Sequence, residues 1–353
     1  MTLHWTDALA QHWGIQATLT QLAGEYDLNF LAETSAGEGY ILKVMRPGCD
    51  RALIEMQVSA LTHVQGQQLA GLYPEVIATQ QGAACTTCLD ADGNLRLLWL
   101  LTRLPGRNYA QSGPKTQALD NDLGRAIGAT DRVFETFCHP ALERDFKWNL
   151  MRALWIKPEL VVISDPGRRR LLQKIVMDFS VILEQLQNLP IQAVHNDIND
   201  YNILVSDEVC APRRITGLID LGDMCMAPRI CDLAIAAAYV VLDRSDPAEA
   251  LEALVAGYHA ENPLASAELD ALWPLLQMRL AVSVVNSTLM AQAHPDDPYV
   301  VISQAPAWQF LENNKLHPGL LNARLRVACG LPVTPSAPAI ELSLIHIFRA
   351  HET

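Results

Sequence analysis

The feature that most constrains this chain is the stretch 193–223, where three short apolar runs alternate with two polar loops. The runs are Ala193–His195, Ile203–Ser206 and Ile215–Ile219, each long enough for a strand and too short for a helix. The first loop carries His195-Asn-Asp197-Ile-Asn-Asp200-Tyr-Asn202, and the third run ends in Asp220-Leu-Gly222-Asp223. Asp197 and Asn202 stand five residues apart, a spacing that lets both side chains serve one site. Asp220 closes the next strand, which breaks at Gly222. Three oxygen donors therefore converge from strand ends.

The remainder of the chain supplies the setting. The runs Ala17–Ala23, Asn29–Thr34 and Tyr40–Met45 are separated by Gly24 and by Gly37/Gly39, which predicts a meander. A helix is expected over 52–64, with Leu53, Met56, Ala60, Leu61 and Val64 on one face. A strand near 75–79 follows, then a hairpin on Asp92-Gly93 and the apolar run Leu95–Leu104, ended by Pro105-Gly106. Beyond it the pattern turns helical, with apolar spacings of three and four over Arg170–Leu189. Further helices are expected at 231–242, 247–259 and 266–293. The reading is an α+β chain: a small β-rich lobe over 1–104, a hinge at 101–106, and a larger mainly helical lobe over 105–331. Residues 332–353 are Pro-rich and then patternless, and we leave them out of the functional reading.

Composition narrows the function. Of 353 residues, 26 are Lys or Arg and 39 are Asp or Glu, giving a net charge of −13. Nucleic acid needs a basic surface, so this balance argues against it and suits a cationic small molecule. A hydrophobic fraction of 50% against 18% charged excludes a disordered chain. The N-terminus lacks an export pattern, and the longest apolar run, Leu233–Leu242, is half of the roughly 20 residues a membrane span requires. The eight cysteines follow no disulfide framework, so reduced cytoplasmic thiols are expected. Cys85-x-x-Cys88 has no second pair nearby and runs into a turn, so it reads as ordinary strand cysteines rather than a zinc or redox motif.

Hard oxygen donors suit Mg²⁺, which takes one or two protein carboxylates and fills its shell with phosphate and water. Phosphoryl transfer needs such a set together with a carboxylate near the attacking hydroxyl and a lysine on the nucleotide phosphates. Lys43, a lone charge in the apolar strand Gly39-Tyr-Ile-Leu-Lys43-Val, supplies that lysine. A metal hydrolase built on His195, Asp197, Asp220 and Asp223 is the rival reading. Such sites want several histidines, and the others are scattered with no H-x-x-x-H pair.

The run H-N-D-I-N-D-Y-N-I-L, with I-D-L-G-D-M after it, resembles the aminoglycoside phosphotransferase/choline kinase superfamily, nearest to its hydroxylysine kinases. Gly24-Glu-Tyr-Asp-Leu-Asn-Phe30 and Leu100-Leu-Thr-Arg-Leu-Pro-Gly106 add to the likeness, which spans roughly 15–330. The resemblance implies a protein-kinase-like two-lobe fold and a kinase that phosphorylates a small-molecule hydroxyl. By position it implies that Asp197 orients and deprotonates that hydroxyl, and that Asn202 and Asp220 hold Mg²⁺. Lys43 would meet the α/β-phosphates of ATP or GTP, Gly24 would sit in the nucleotide turn, and backbone at Thr102–Leu104 would meet the purine. His195 would brace the loop, and either Glu55 or Gln57 would partner Lys43; these two lie about 200° apart around a helix, so only one can. The absence of G-x-G-x-x-G separates the chain from protein kinases and favours a small molecule. An acceptor ammonium could meet Asp223, Asp200 or Glu312, with Trp148 or Trp308 beside it. The expected acceptor is an amino alcohol or hydroxy amino acid, best 5-hydroxylysine; homoserine, choline, ethanolamine and aminoglycosides are the alternatives. A catalytically inactive nucleotide-binding regulator is a further one, although no expected residue is missing.

Overall fold

Period-two burial organises the first hundred residues. Strands β1 (Ala17–Leu22), β2 (Leu28–Thr34) and β3 (Gly39–Val44) form the expected meander. After helix α2 (Arg51–Gln65) come β4 (Val76–Ile77), β5 (Cys85–Leu89) and β6 (Leu95–Thr102). They make one antiparallel sheet in the order β1-β2-β3-β6-β4, with β5 also pairing β6. Phe30, Leu42 and Leu100 stand side by side across β2, β3 and β6, and with Val44 and Leu98 they turn one face inward. Helix α1 (Thr2–Trp13) covers that face with Trp5, Leu9 and Trp13, residues at the three-and-four spacing of a buried stripe. The opposite face carries Lys43 and Trp99, paired in register.

The computed structural model describes residues 2–333 apart from 23, 25–26, 68, 208–211, 294–303 and 315. The sequence's expectation for the tail therefore lies, beyond 333, outside the described residues. The chain folds as two compact units. The first takes the chain up to Ser112, with Thr136–Arg144 and Tyr201–Cys225. The second takes Gly113–Glu135, Asp145–Asp200 and the described residues from Met226 onward. Residues 136–144 and 201–225, which a single cut near 104 assigns to the second part, pack with the first. There a small sheet joins β7 (Arg107–Asn108), β9 (Ile203–Val205) and β10 (Ile215–Leu218).

The second unit is helical. Helices α3 (Gln117–Phe134), α4 (Ile156–Glu159) and α5 (Pro166–Leu186) precede the short strand β8 (Ile191–Val194), which pairs β11 (Cys225–Pro228). Then follow α6 (Ile230–Val240), α7 (Pro247–Glu261), α8 (Ser266–Ala293), α9 (Gln304–Asn313) and α10 (Pro318–Ala328). Helix α5 begins four residues before its expected start because Asp165 caps it, accepting from the Arg168 N–H at 2.7 Å, with Pro166 in the first turn. Every residue of α6 is buried, so the longest apolar run of the sequence is the centre of this unit's core. Backbones touch where α3 meets α7. A β-carbon at Gly124 would stand 1.9 Å from the Leu254 carbonyl oxygen, and one at Gly257 would stand 2.0 Å from that of Asn121. Among the described residues no helix is long and apolar enough to cross a membrane. The α+β class expected from the sequence is the one the chain adopts.

Candidate active site

In the first unit the strand ladder explains why distant motif residues meet. β9 and β10 run antiparallel, and the ladder continues past them with the Ile219 N–H donating to the Asn202 carbonyl at 2.9 Å. Asn202 and Asp220 therefore emerge from one end of the pair. Asp220 adopts a left-handed backbone, φ 68°, and its Oδ1 accepts from the Gly222 N–H at 3.3 Å. A non-glycine residue in that region is uncommon and is concentrated at functional sites, with aspartate among the more tolerant residues. Lys43 Nζ lies 3.1 Å from the same Oδ1 and 5.6 Å from the centroid of the Trp99 ring. The carboxylate side chain is 46% exposed and the lysine 13%, so Asp220 keeps an open side.

Lys43 thus pairs with Asp220, and α2 contributes no carboxylate to it. Glu55 is exposed, while Gln57 is buried with Ile54, Leu61 and Val64. A β-carbon at Gly222 would stand 3.9 Å from Gln57 Oε1, so it is Gln57 that faces the metal-motif turn. Arg144 fixes that turn from another direction, donating to the Gly222 and Met224 carbonyls and standing 3.8 Å from Asp223 Oδ1. The Asp223 carboxylate therefore has a cation of the chain's own beside it. Gly24 sits where a β-carbon would meet Asn29 Nδ2 and the Asp27 carbonyl oxygen at 2.7 Å. Within the first unit, the Thr102 and Arg103 N–H groups donate to the Glu75 and Gly39 carbonyls, and the Leu104 side chain fills the space beside Gly217.

The second unit holds the other half of the loop. His195 and Asn196 are completely buried. Their N–H groups donate to the two oxygens of Asp232 at 2.7 and 2.6 Å, so one carboxylate of α6 grips the loop backbone. Asn196 is left-handed, φ 64°, and its side chain donates to the Trp148 carbonyl. The Asp197 N–H points to His195 Nδ1 at 3.3 Å. Burial and the charge of Asp232 push the neighbouring Asp131 carboxyl well above the usual carboxylate range, and the Tyr258 hydroxyl donates to it at 2.6 Å.

Asp197 is held through both oxygens. Arg279 Nη2 donates to Oδ1 at 2.6 Å, and Asn199 Nδ2 donates to Oδ2 at 3.0 Å. The side chain remains 22% exposed. Two other candidates for an acceptor cation already hold cations of the chain itself: Arg279 lies 4.7 Å from the Trp148 ring and Arg168 4.7 Å from the Trp308 ring. Glu312 likewise accepts both Arg168 donors, at 2.7 and 3.1 Å. Arg279, Asp232 and Arg144 are absent from the sequence reading. For Arg279 a signal existed, a lone charge inside an apolar helix, the same signal that singled out Lys43.

Asp200 differs from these. Its Oδ1 is buried without a hydrogen-bond partner among the described residues. Burial raises the carboxyl to about 6, Lys115 opposing and Asp197 and Asp243 adding to the rise. The folded chain keeps this proton to higher pH than the unfolded chain, so stability falls as pH rises from about 4 through 6. The gap from 3.8 to about 6 corresponds to about 3 kcal/mol at most. Asp200→Asn, close in shape but always neutral, is expected to raise unfolding free energy at pH 7.5 by about 1–3 kcal/mol, the gain vanishing below pH ~4. Denaturant titrations at the two pH values check this, and a gain equal at both contradicts it.

The donor chemistry at Asn202 and Asp220, one amide and one carboxylate on adjacent strand ends, fits a hard divalent cation that shares its shell with phosphate. Among the described residues no group of three or more His, Cys, Asp or Glu is arranged to hold a metal by itself.

Comparison with known proteins agrees with this chemistry. The model of the "phosphotransferase enzyme family" matches residues 18–272. Hydroxylysine kinase of Mus musculus is 25% identical over 289 residues, covering 77% of this chain and 76% of its own. That of Danio rerio is 26% identical over 311 residues, 84% and 86%. Among solved structures, a microcompartment-associated aminopropanol kinase superposes with a TM-score of 0.70 at 20% identity, over 94% of this chain and 100% of its own. Amicoumacin kinase in complex with AMP-PNP, Ca²⁺ and Ami gives 0.64 at 17% identity, over 93% of each chain. These structural neighbours establish a shared kinase-like fold.

Proposed function

We propose, from the premise that the chain belongs to the phosphotransferase enzyme family and is a small-molecule kinase with an alcohol acceptor, that its acceptor is an amino alcohol or hydroxy amino acid. Within that class 5-hydroxylysine is the assigned acceptor, and ATP or GTP the donor. The acceptor oxygen bonds to the γ-phosphorus as the bond to the β,γ-bridging oxygen breaks, and the hydroxyl proton passes to Asp197. Asn202 and Asp220 would hold Mg²⁺, which when bound neutralises charge on the phosphates. Lys43 contacts the α/β-phosphates. The turn at Gly24 gives those phosphates close backbone approach, and backbone at Thr102–Leu104 meets the purine.

The observation that carries the reading is the Lys43–Asp220 contact at 3.1 Å, which puts the lysine and the metal carboxylate at one point. A polyphosphate with its cation is the ligand that uses both. The acceptor assignment is supported by similarity to hydroxylysine kinases over more than three quarters of the chain. The net charge of −13 suits a cationic acceptor. Of the two acceptor-anchor candidates, we assign the ammonium to Asp200, because its Oδ1 is buried without a hydrogen-bond partner among the described residues. A cytoplasmic location is part of this reading, and the free state of every described cysteine is consistent with it.

A panel of 5-hydroxylysine, ethanolamine, choline, homoserine and an aminoglycoside, each with ATP and with GTP, tests the assignment. Hydroxylysine is expected to exceed every other acceptor in kcat/KM by at least about tenfold, roughly the discrimination one buried polar contact gives. Equal or better turnover with another acceptor overturns it.

A further inference from the structure

We infer that Arg279 is a positioning residue of the phosphotransfer, holding Asp197 as an ionised carboxylate in one orientation from behind the catalytic loop. This rests on the reading of Asp197 as the residue that receives the hydroxyl proton.

Arg279 sits mid-way along α8, flanked by Met278 and Leu280, and is 2% exposed. A guanidinium taken out of water is strongly unfavourable unless a counter-charge and hydrogen bonds repay it. Here the carboxylate is that of Asp197, 82 residues away, with the Tyr239 hydroxyl accepting from Nε at 3.3 Å. The aromatic faces of Trp148 and Tyr239 lie 4.7 and 5.6 Å from the guanidinium carbon. Burial by itself would lower the arginine's pKa; Tyr239 and Asp197 more than offset this, and it lies above the ordinary arginine value.

Two details separate this arrangement from plain structural packing. Nη1 has no hydrogen-bond partner among the described residues, so the hydrogen bonds that aim the group are those to Asp197 and the Tyr239 hydroxyl. The carboxylate it grips is also the less buried partner, 22% exposed against 2%. Arg279 and Asn199 each take one oxygen of Asp197. The acceptor hydroxyl would meet the exposed side of that carboxylate. A rigid, paired base of this kind keeps its alignment through the reaction, and misplacement by about 1 Å costs on the order of 10²-fold.

The test is a double-mutant cycle in the full-length enzyme, read as kcat and nucleotide KM with Mg²⁺, ATP and hydroxylysine. Arg279→Met is expected to lower kcat by about 10²-fold with nucleotide KM within about threefold, and Arg279→Lys to recover at least about tenfold of that loss. In the Asp197→Asn background, Arg279→Met is expected to cost no further turnover, because both act through one carboxylate. Unchanged kcat in Arg279→Met, or a second full loss in the Asp197→Asn background, overturns the inference. Should Arg279→Met not fold, judged by its thermal transition, Arg279→Lys decides: kcat reduced about tenfold at unchanged nucleotide KM supports the role, and wild-type kcat or parallel loss of both parameters refutes it. Failure of the underlying reading looks different, since Asp197→Asn alone would then turn over normally.

Discussion

Asp197→Ala is expected to lose at least about 10²-fold in turnover while binding nucleotide almost as well as the wild-type chain. The residue stands on the buried loop that Asp232 grips through the His195 and Asn196 N–H groups, so its placement is rigid. Its oxygens accept from Arg279 and Asn199, and the proposed function gives it the acceptor hydroxyl rather than a phosphate. Removing it deletes proton handling and hydroxyl alignment and leaves Lys43, Asn202 and Asp220 intact. Turnover therefore drops while the affinity for a Mg²⁺–nucleotide complex stays within a few-fold. Arg279 loses its counter-charge in the variant, so Asp197→Asn, which keeps an oxygen near Nη2, is the control for stability. Calorimetric nucleotide binding beside steady-state rates measures both quantities. Unchanged turnover in either variant contradicts the assignment.

Asp220→Asn is expected to reduce kcat/KM by about 10³-fold or more and to abolish the Mg²⁺ dependence of nucleotide binding. Asparagine tolerates the left-handed backbone at this position better than alanine does, so the substitution reports on charge rather than on strain. Two interactions disappear with the charge: the ion pair to Lys43 at 3.1 Å, and the one carboxylate assigned to the metal. Lys43 would then carry its charge beside Trp99 with that partner neutral. Asn202→Ala should be milder, since water can take the place of one neutral ligand. Normal affinity for Mg²⁺–nucleotide in Asp220→Asn would remove Asp220 from the metal's shell.

Much of the site could be read from the sequence because its parts lie on strands with local, periodic signals. Lys43 stood out as a charge in an apolar strand, and the register that pairs Phe30 with Leu42 and Leu42 with Leu100 puts it on the face away from the core. Asp197, Asn202 and Asp220 were singled out by loop spacing together with the family resemblance, and the ladder of β9 and β10 brings the last two together. The choice between Glu55 and Gln57 depends on which stripe of α2 is buried; 54, 57, 61 and 64 share that stripe, which leaves Glu55 in solvent.

What could not be read has physical causes too. Helix α3 carries an apolar stripe, Leu119, Leu123, Ile127 and Phe134, that the sequence reading passed over because Asp120, Thr130 and Asp131 are buried among it. Helix α1 carries a clear stripe, Trp5, Leu9 and Trp13, which a search for export signals passes over. Arg279 reaches Asp197 across 82 residues, and Arg144 reaches Gly222 across 78, distances over which no spacing rule operates. Tertiary packing alone creates those pairs. The same holds for the return of 136–144 and 201–225 to the first unit, which linear composition does not announce.

The central claim is that this chain moves a phosphoryl group onto a small amino-alcohol hydroxyl, with Asp197, Asn202, Asp220 and Lys43 as its working set. Following ³¹P in a reaction of the purified enzyme with Mg²⁺, 5-hydroxylysine and ATP or GTP tests it most directly. The account predicts a new phosphate monoester resonance on the acceptor growing in step with nucleoside diphosphate, stopped by chelation of Mg²⁺ and absent in Asp197→Ala. Nucleotide split only to diphosphate and inorganic phosphate, with no ester on hydroxylysine or any related amino alcohol, would contradict it.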